Sequence, residues 1–315
     1  MQKCLVTGGA GFIGSHLVER LVGESVQVQV LDNLSSGALQ NLELFRKHIH
    51  FKQGDVRDLT TLQEMMSGVE VVFHQAALVS VPQSMEDPIE TAMVNDLGTL
   101  NVLEVARQSG VRRVVFASSC AVYGDLPQLP KREDMDTKLL SPYAASKLHG
   151  ESYARLYAEI YGLETVCLRY FNVYGPRQDP SSPYSGVISI FMDKGARSEK
   201  VTIYGDGEQC RDFIYVDDVV RANILAAQGK NISGVTINVG TGKAVTVNDL
   251  WKNIAELAGV KGEPERADSR PGDIRQSVAE ISRAQELLGF EPSSTLQEGL
   301  KLTWEWYRKR IGHGA

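Results

Sequence analysis

The chain has 315 residues, 43% hydrophobic and 23% charged, with a formal net charge of −6 at pH 7. That balance suits a sizeable core and, with no Lys/Arg run, excludes a nucleic-acid groove. No stretch approaches about 18 continuous apolar residues, so no membrane span or signal peptide is expected; the four cysteines show no paired spacing, which predicts a reduced, cytoplasmic protein without a metal site.

Cys4-Leu5-Val6 reads as a strand that stops at a glycine cluster, and Phe12, Ile13, Leu17, Val18 and Leu21 follow with helical spacing. Gly8, Gly11 and Gly14 permit positive φ in the turn and leave no Cβ between backbone and ligand. The first helix amides, including those of Phe12 and Ile13, then face an anion such as a pyrophosphate. A second strand, Val26 to Leu31, ends at Asp32, where a carboxylate would receive the adenosine ribose hydroxyls and repel a 2′-phosphate, favouring NAD over NADP. Ser35-Ser36-Gly37 is a loop.

Ile49-His50-Phe51 leads into Gly54-Asp55-Val56, where Asp55 is placed to reach the adenine. Val71-Val72-Phe73 ends in His74-Gln75-Ala76-Ala77, whose small residues permit close approach of a dinucleotide; His74 reads as structural. An amphipathic helix over 95–109 precedes the strand Arg113–Ser119. A long helix over 144–161 precedes the strand Thr165–Tyr170. Strands alternating with helices predict an α/β fold, a doubly wound parallel sheet of the Rossmann kind over residues 1–175, with some later segments returning to it. Beyond Gly175-Pro176 the rhythm changes, and residues 176–315 are expected to form a smaller α/β substrate domain.

Tyr143 and Lys147 stand four residues apart at a helix start, hence on one face. An ammonium beside a phenol favours the phenolate, and bringing tyrosine from about 10 to neutrality takes roughly 4 kcal/mol. Two nearby cations, Lys147 and a nicotinamide, would supply it. Tyr143 would then take a proton from a sugar hydroxyl while Ser119 hydrogen-bonds the same oxygen.

These features together resemble the extended short-chain dehydrogenases/reductases, specifically the UDP-glucose 4-epimerase branch and its UDP-N-acetylglucosamine 4-epimerase-like group. The resemblance rests on Gly8-x-x-Gly11-x-x-Gly14, Leu31-Asp32-Asn33, Gln75-Ala76-Ala77, Ser118-Ser119, Tyr143-x-x-x-Lys147 and Leu168-Arg169-Tyr170-Phe171-Asn172-Val173-Tyr174-Gly175-Pro176. It continues through Tyr204-Gly205-Asp206-Gly207, Arg211-Asp212-Phe213 and Asn238-Val239-Gly240. It implies a tightly held NAD that oxidises C4 of a UDP-sugar and returns the hydride to the opposite face. It further implies cofactor contacts from Asn33, Ser36, Gly37, Val56, Asn95, Ser118, Tyr170 and Val173. Asn172, Val187, Tyr204, Arg211, Arg270 and Asp273 would hold the UDP-sugar, and the two arginines suit phosphates as bidentate forks. A homodimer is implied through the helices near 97–110 and 145–161.

Sibling reactions differ beside Ser119. Related 4,6-dehydratases carry Asp-Glu there and UDP-xylose-forming decarboxylases a glutamate, whereas this chain has Cys120 and Ala121. GDP-fucose-synthase relatives use a cysteine at the position held here by Ala121. Dehydration and 3,5-epimerisation are therefore disfavoured. The family's gatekeeper, seven residues after Arg270, is Ser277, small enough to admit an N-acetyl group at C2; Ser80-Val81-Pro82 resembles the N-acetylhexosamine-using group. The expected activity is epimerisation of UDP-Glc/UDP-Gal together with UDP-GlcNAc/UDP-GalNAc. UDP-glucuronate 4-epimerisation, or another NAD-dependent modification of a UDP-sugar, is the alternative within the enzyme class. A non-catalytic nucleotide sensor is the alternative outside it, disfavoured by the intact Ser119, Tyr143 and Lys147.

Overall fold

Cys4 and Val6 pack into one apolar cluster and Leu5 into another, so the first strand is covered on both faces. A continuous apolar run is what such burial requires. The computed structural model describes residues 1–180, 186–269 and 274–312. From the N-terminus, β1 (Lys3–Thr7), α1 (Phe12–Gly23), β2 (Gln27–Asp32) and β3 (Ile49–Gln53) lead through α2 (Leu59–Met65) to β4 (Val71–His74). Short helices α3 (Val81–Glu86) and α4 (Pro88–Ala92) precede α5 (Gly98–Gln108), β5 (Arg113–Ser119), α6 (Pro142–Tyr161), β6 (Glu164–Tyr170) and β7 (Asn172–Tyr174). Then come α7 (Val187–Ala196), β8 (Thr202–Tyr204), β9 (Cys210–Arg211), β10 (Phe213–Tyr215), α8 (Val216–Gln228) and β11 (Val235–Val239). The remainder is β12 (Val245–Thr246), α9 (Val247–Ala258), β13 (Glu265–Ala267), β14 (Gln276–Ser277), α10 (Ser282–Leu288) and α11 (Leu296–Gly312).

Seven parallel strands form one sheet in the order β11-β6-β5-β4-β1-β2-β3. The winding reverses between β1 and β4, and the crevice at their carboxyl ends is where a doubly wound sheet binds its ligand. Leu17, Val18 and Leu21 of α1 cover one face with Val219, Val220 and Ala222 of α8. Leu62 of α2, Val102 and Leu103 of α5 and Tyr157 of α6 cover the other. Strand β11 and helices α8 and α10, all from beyond residue 175, thus sit on this sheet. A separate cluster gathers Phe191 and Met192 of α7, Trp251 and Ile254 of α9, and Leu300, Trp304 and Tyr307 of α11. Short pairs β10–β7, β12–β9–β14 and β13–β8 accompany it.

The helix expected over 95–109 is entered through a π-helical segment, Met93–Leu97. Helix α6 starts at Pro142, two residues earlier than its periodicity suggests, because the Ser141 side chain accepts the Ala144 amide (3.1 Å) and proline suits the first turn. It stops at Gly162, whose φ of +71° places it in the left-handed region. All four cysteines are free thiols. Among the described residues no helix is long and apolar enough to cross a membrane.

Candidate active site

The turn after β1 is built of backbone. Gly8 has φ +68° and donates its amide to the Leu31 carbonyl (2.8 Å). An added Cβ would stand 2.7 Å from the Ala76 nitrogen, so the missing side chain lets the ends of β1 and β4 close on each other. A Cβ on Gly14 would meet the Gly8 carbonyl at 2.1 Å, which no side chain can do. Gly11 caps α1 without a side-chain acceptor, leaving the first amides of the helix, at Phe12, Ile13 and Gly14, without intrahelical partners. They open on a cleft of about 2120 Å³.

Asp32, 7% exposed, closes one end of that cleft and accepts the amides of Ala10 (2.9 Å) and Leu34 (2.8 Å). Burial raises its pKa, and the two amides oppose the rise. Asp55 is held down to about 2, chiefly by its hydrogen bonds to Arg57, and accepts from Asn33 (2.9 Å). Ser36, Val56, Gln75, Ala76, Ala77, Tyr170 and Val173 also line the cleft, as does Ser80. Tyr170 donates to Asn223 (2.9 Å) and meets Gln75. Two expected cofactor residues stand behind the wall and do not line it. Gly37 packs on Ala10 and Asp32. Asn95, 3% exposed, ties Leu78 (2.8 and 3.0 Å) to Ser146 (3.0 Å), its amide consumed by three internal bonds. His74 is fully enclosed between Thr7 (2.8 Å) and Thr99 (3.0 Å), and burial pushes it down to about 3, so it is neutral. It is structural.

At the other end of the cleft, Ser118, Ser119, Tyr143 and Lys147 come together. The Ser119 side chain hydrogen-bonds Tyr143 and accepts the Ala121 amide (3.1 Å). The Lys147 ammonium stands 5.8 Å from the Tyr143 ring centre, 5.1 Å from that of Phe116, and donates to the Ala117 carbonyl (2.8 Å). The protein's own groups do not lower the phenol: burial pushes Tyr143 up to about 12, against the Ser119 bond. Burial likewise brings Lys147 down to about 8, with Glu151 opposing. Both groups lose hydration of the charged form, and one ammonium at this distance does not repay it. A second cation beside the phenol would favour its charged form.

The substrate-side residues gather at a second cavity of about 350 Å³, which shares Val173, Gln178 and Gly186 with the first. Asn172, Val187, Tyr204 and Arg211 line it. Asn172 donates to the Asp212 carbonyl (3.1 Å), and Arg211 to that of Cys210 (2.9 Å). Ser277 pairs with Arg211 across β14 and β9, is 7% exposed, and hydrogen-bonds the side chain of Cys120, the neighbour of Ser119. It lines neither cavity. Arg270 and Asp273 lie outside the described residues.

Several lining residues carried no motif. Gln209 and Phe191 of α7 line the second cavity beside Arg211 and Phe213, the latter already part of the Arg211-Asp212-Phe213 motif. Trp306, Lys309 and Arg310 of α11 reach the rim of the first. Only Gln209, two residues before Arg211, had a sequence signal available; α11 arrives by tertiary packing. Behind the catalytic end, Glu151 and Arg169 form a buried ion pair (2.7 Å). Its helical spacing from Lys147 was readable.

The glycine turn, the amides of α1 and the buried Asp32 fit a dinucleotide: a pyrophosphate at the helix start and a ribose diol at Asp32. Residues 4–240 match the model of the NAD dependent epimerase/dehydratase family. The UDP-glucose 4-epimerase of Mycolicibacterium smegmatis is 42% identical over 314 residues, 98% of this chain and 99% of that protein. A UDP-N-acetylglucosamine 4-epimerase from Methanobrevibacter ruminantium, solved with UDP-N-acetylmuramic acid, superposes with a TM-score of 0.94 at 39% identity, covering 98% and 99% of the two chains. The UDP-glucose 4-epimerase of Thermus thermophilus, solved with NAD, gives 0.88 at 41% identity over 98% and 99%.

Proposed function

The chain belongs to the NAD dependent epimerase/dehydratase family, and on that premise we propose that it is a UDP-sugar 4-epimerase. It interconverts UDP-Glc with UDP-Gal, and UDP-GlcNAc with UDP-GalNAc, through a transient 4-keto sugar. The observation that carries this reading is the set Ser119, Tyr143 and Lys147 at the inner end of the cleft, with Cys120 and Ala121 supplying no carboxylate beside it. Expelling a hydroxyl would need such an acid; moving one proton and one hydride at C4 does not.

NAD would lie along the amides of α1 with its adenosine ribose at Asp32, and when bound it supplies the acceptor and donor of the C4 hydride. A cationic nicotinamide held beside Tyr143 would favour its phenolate, together with Lys147. Tyr143 takes the C4 hydroxyl proton and returns it to the rotated sugar. Ser119 holds the oxygen. Lys147, kept by Ala117 on the same helix face, supports the phenolate. Asn172, Tyr204 and Arg211 hold the uridine diphosphate, with Arg270 and Asp273 assigned by family pattern. Acceptance of an N-acetyl group rests on the family pattern, in which the position of Ser277 is small. The same reading includes a cytoplasmic homodimer, supported by the apolar, exposed Leu97 at the start of α5 and Leu156 and Ile160 on α6.

Purified protein incubated separately with UDP-Glc, UDP-GlcNAc and UDP-GlcA, with the C4 epimers resolved by NMR, tests the reading. Conversion of the first two is expected. Conversion of UDP-GlcA alone would replace the substrate assignment, and no conversion of any would leave a nucleotide sensor.

A further inference from the structure

The inner end of the cleft is joined to its helix by three consecutive residues of β5. The Ala117 carbonyl accepts from Lys147 (2.8 Å), the Ser118 hydroxyl donates to Glu151, and the Ser119 side chain bonds Tyr143. On α6 the partners stand at 143, 147 and 151, one turn apart along one face. Gly150 makes the approach possible, since a Cβ there would stand 2.4 Å from the Phe116 ring, the ring on which Lys147 also rests. Two rungs of this ladder are the proposed catalytic groups. The third has a helix partner whose side chain is anchored from the next strand: Glu151 receives Arg169 of β6 through two bonds, 2.8 and 2.7 Å. Arg169 in turn stacks 4.8 Å over the Tyr123 ring. Glu151 and Arg169 are 7% and 4% exposed.

The geometry points to Glu151 and Arg169 as a positioning pair which, through Ser118, fixes the register of α6 on β5 and so sets where the Lys147 ammonium and the Tyr143 phenol stand. This rests on the epimerase reading for what the two groups do, but not for where they are held. A buried ion pair is weak ground for stability, because desolvation offsets its attraction. Its placement on the middle strand residue between two catalytic contacts is what assigns it a role. Charge follows from place: Glu151 favours the protonated form of Lys147, and burial opposes it. The other titratable groups facing Lys147 are Tyr143 on its own helix and His74 on β4, which burial keeps neutral.

The test compares Ser118→Ala, Ser118→Thr and Glu151→Gln in the NAD-loaded protein. Ser118→Ala keeps the ion pair and removes the link; kcat per bound NAD is expected to fall about tenfold with the sugar KM unchanged, and Ser118→Thr to restore it. Glu151→Gln is expected to move the alkaline limb of kcat to lower pH by about one unit. Where that variant does not fold, Glu151→Gln with Arg169→Met, which removes both buried charges together, takes its place. The proton on Lys147 is also followed directly by NMR of carbon-13-labelled lysine, its signal assigned by loss in Lys147→Met. This arm separates the two claims: a wild-type protein that converts no UDP-sugar defeats the epimerase reading, while the NMR midpoint still decides the positioning. Folded variants with wild-type turnover and an unmoved Lys147 midpoint would overturn the inference.

Discussion

The two ends of the large cleft are made of different materials. The end under α1 is backbone: helix amides, a glycine with positive φ and one buried carboxylate satisfied by two amides. The end under α6 is side chain: a phenol and an ammonium, both pushed by burial away from their charged forms, and a hydroxyl, with a buried ion pair behind them. Backbone recognition is insensitive to most substitutions and intolerant of a single added carbon. Side-chain chemistry is the reverse: it depends on individual groups and on the local dielectric.

Tyr143→Phe breaks the second end while sparing the first, and carries the largest expected effect. Removing a general acid–base costs about 10²- to 10⁴-fold, so kcat should fall by roughly a thousandfold with bound NAD retained, read by NMR turnover and by cofactor released on denaturation. Turnover within about tenfold of wild type would remove Tyr143 from the mechanism. Gly14→Ala does the opposite. Its Cβ would collide with the Gly8 carbonyl, and relieving such overpacking costs about 1–3 kcal/mol. NAD affinity should weaken about ten- to hundredfold in calorimetric titration. The arrangement of Tyr143 and Lys147 is untouched.

A pH series sharpens the comparison without any substitution. Lys147 is brought down to about 8 by burial, so its ammonium is present below that pH and lost above it. An ammonium that supports the phenolate therefore predicts an alkaline limb near pH 8, with kcat falling about tenfold per unit beyond it. NAD binding at the backbone end should hold flat over the same range, because the helix amides that would receive the pyrophosphate do not titrate there. A kcat still rising at about pH 9.5 would sink the role given to Lys147.

The same division decided what was legible in the sequence. Strand, glycine turn, helix and acidic strand end are local, so β1, α1, β2 and Asp32 could be read from spacing alone. Tyr143 and Lys147 were legible because one helical turn joins them. The sheet order was legible only as a class, and the return of β11 and α8 to the sheet only as an expectation without boundaries, since long-range pairing leaves no periodicity of its own. Of the residues expected at the cofactor, Gly37 packs on Ala10 and Asp32, and Asn95 bonds Leu78 and Ser146: a motif position names a neighbourhood, whereas its contacts depend on what packs there. The expected lowering of Tyr143 assumes Lys147 and a nicotinamide acting together; the protein's own groups, burial foremost, push the phenol up.

Ser277 gives the smallest and most selective effect, because it belongs to neither end. It stands by Cys120, the neighbour of Ser119, yet reaches that place from β14, more than a hundred residues later in the chain. Ser277→Tyr fills space without altering the charge of any catalytic group. Discrimination by pocket size is modest, about 10- to 200-fold for small apolar differences. The variant should therefore lose about tenfold in kcat/KM for UDP-GlcNAc while changing that for UDP-Glc by less than about twofold. An equal loss on both sugars would mean that the tyrosine disturbs Cys120 and Ser119, placing Ser277 in the support of the catalytic end. A loss on UDP-GlcNAc alone would make it a wall of the sugar pocket, set by steric fit and independent of both materials.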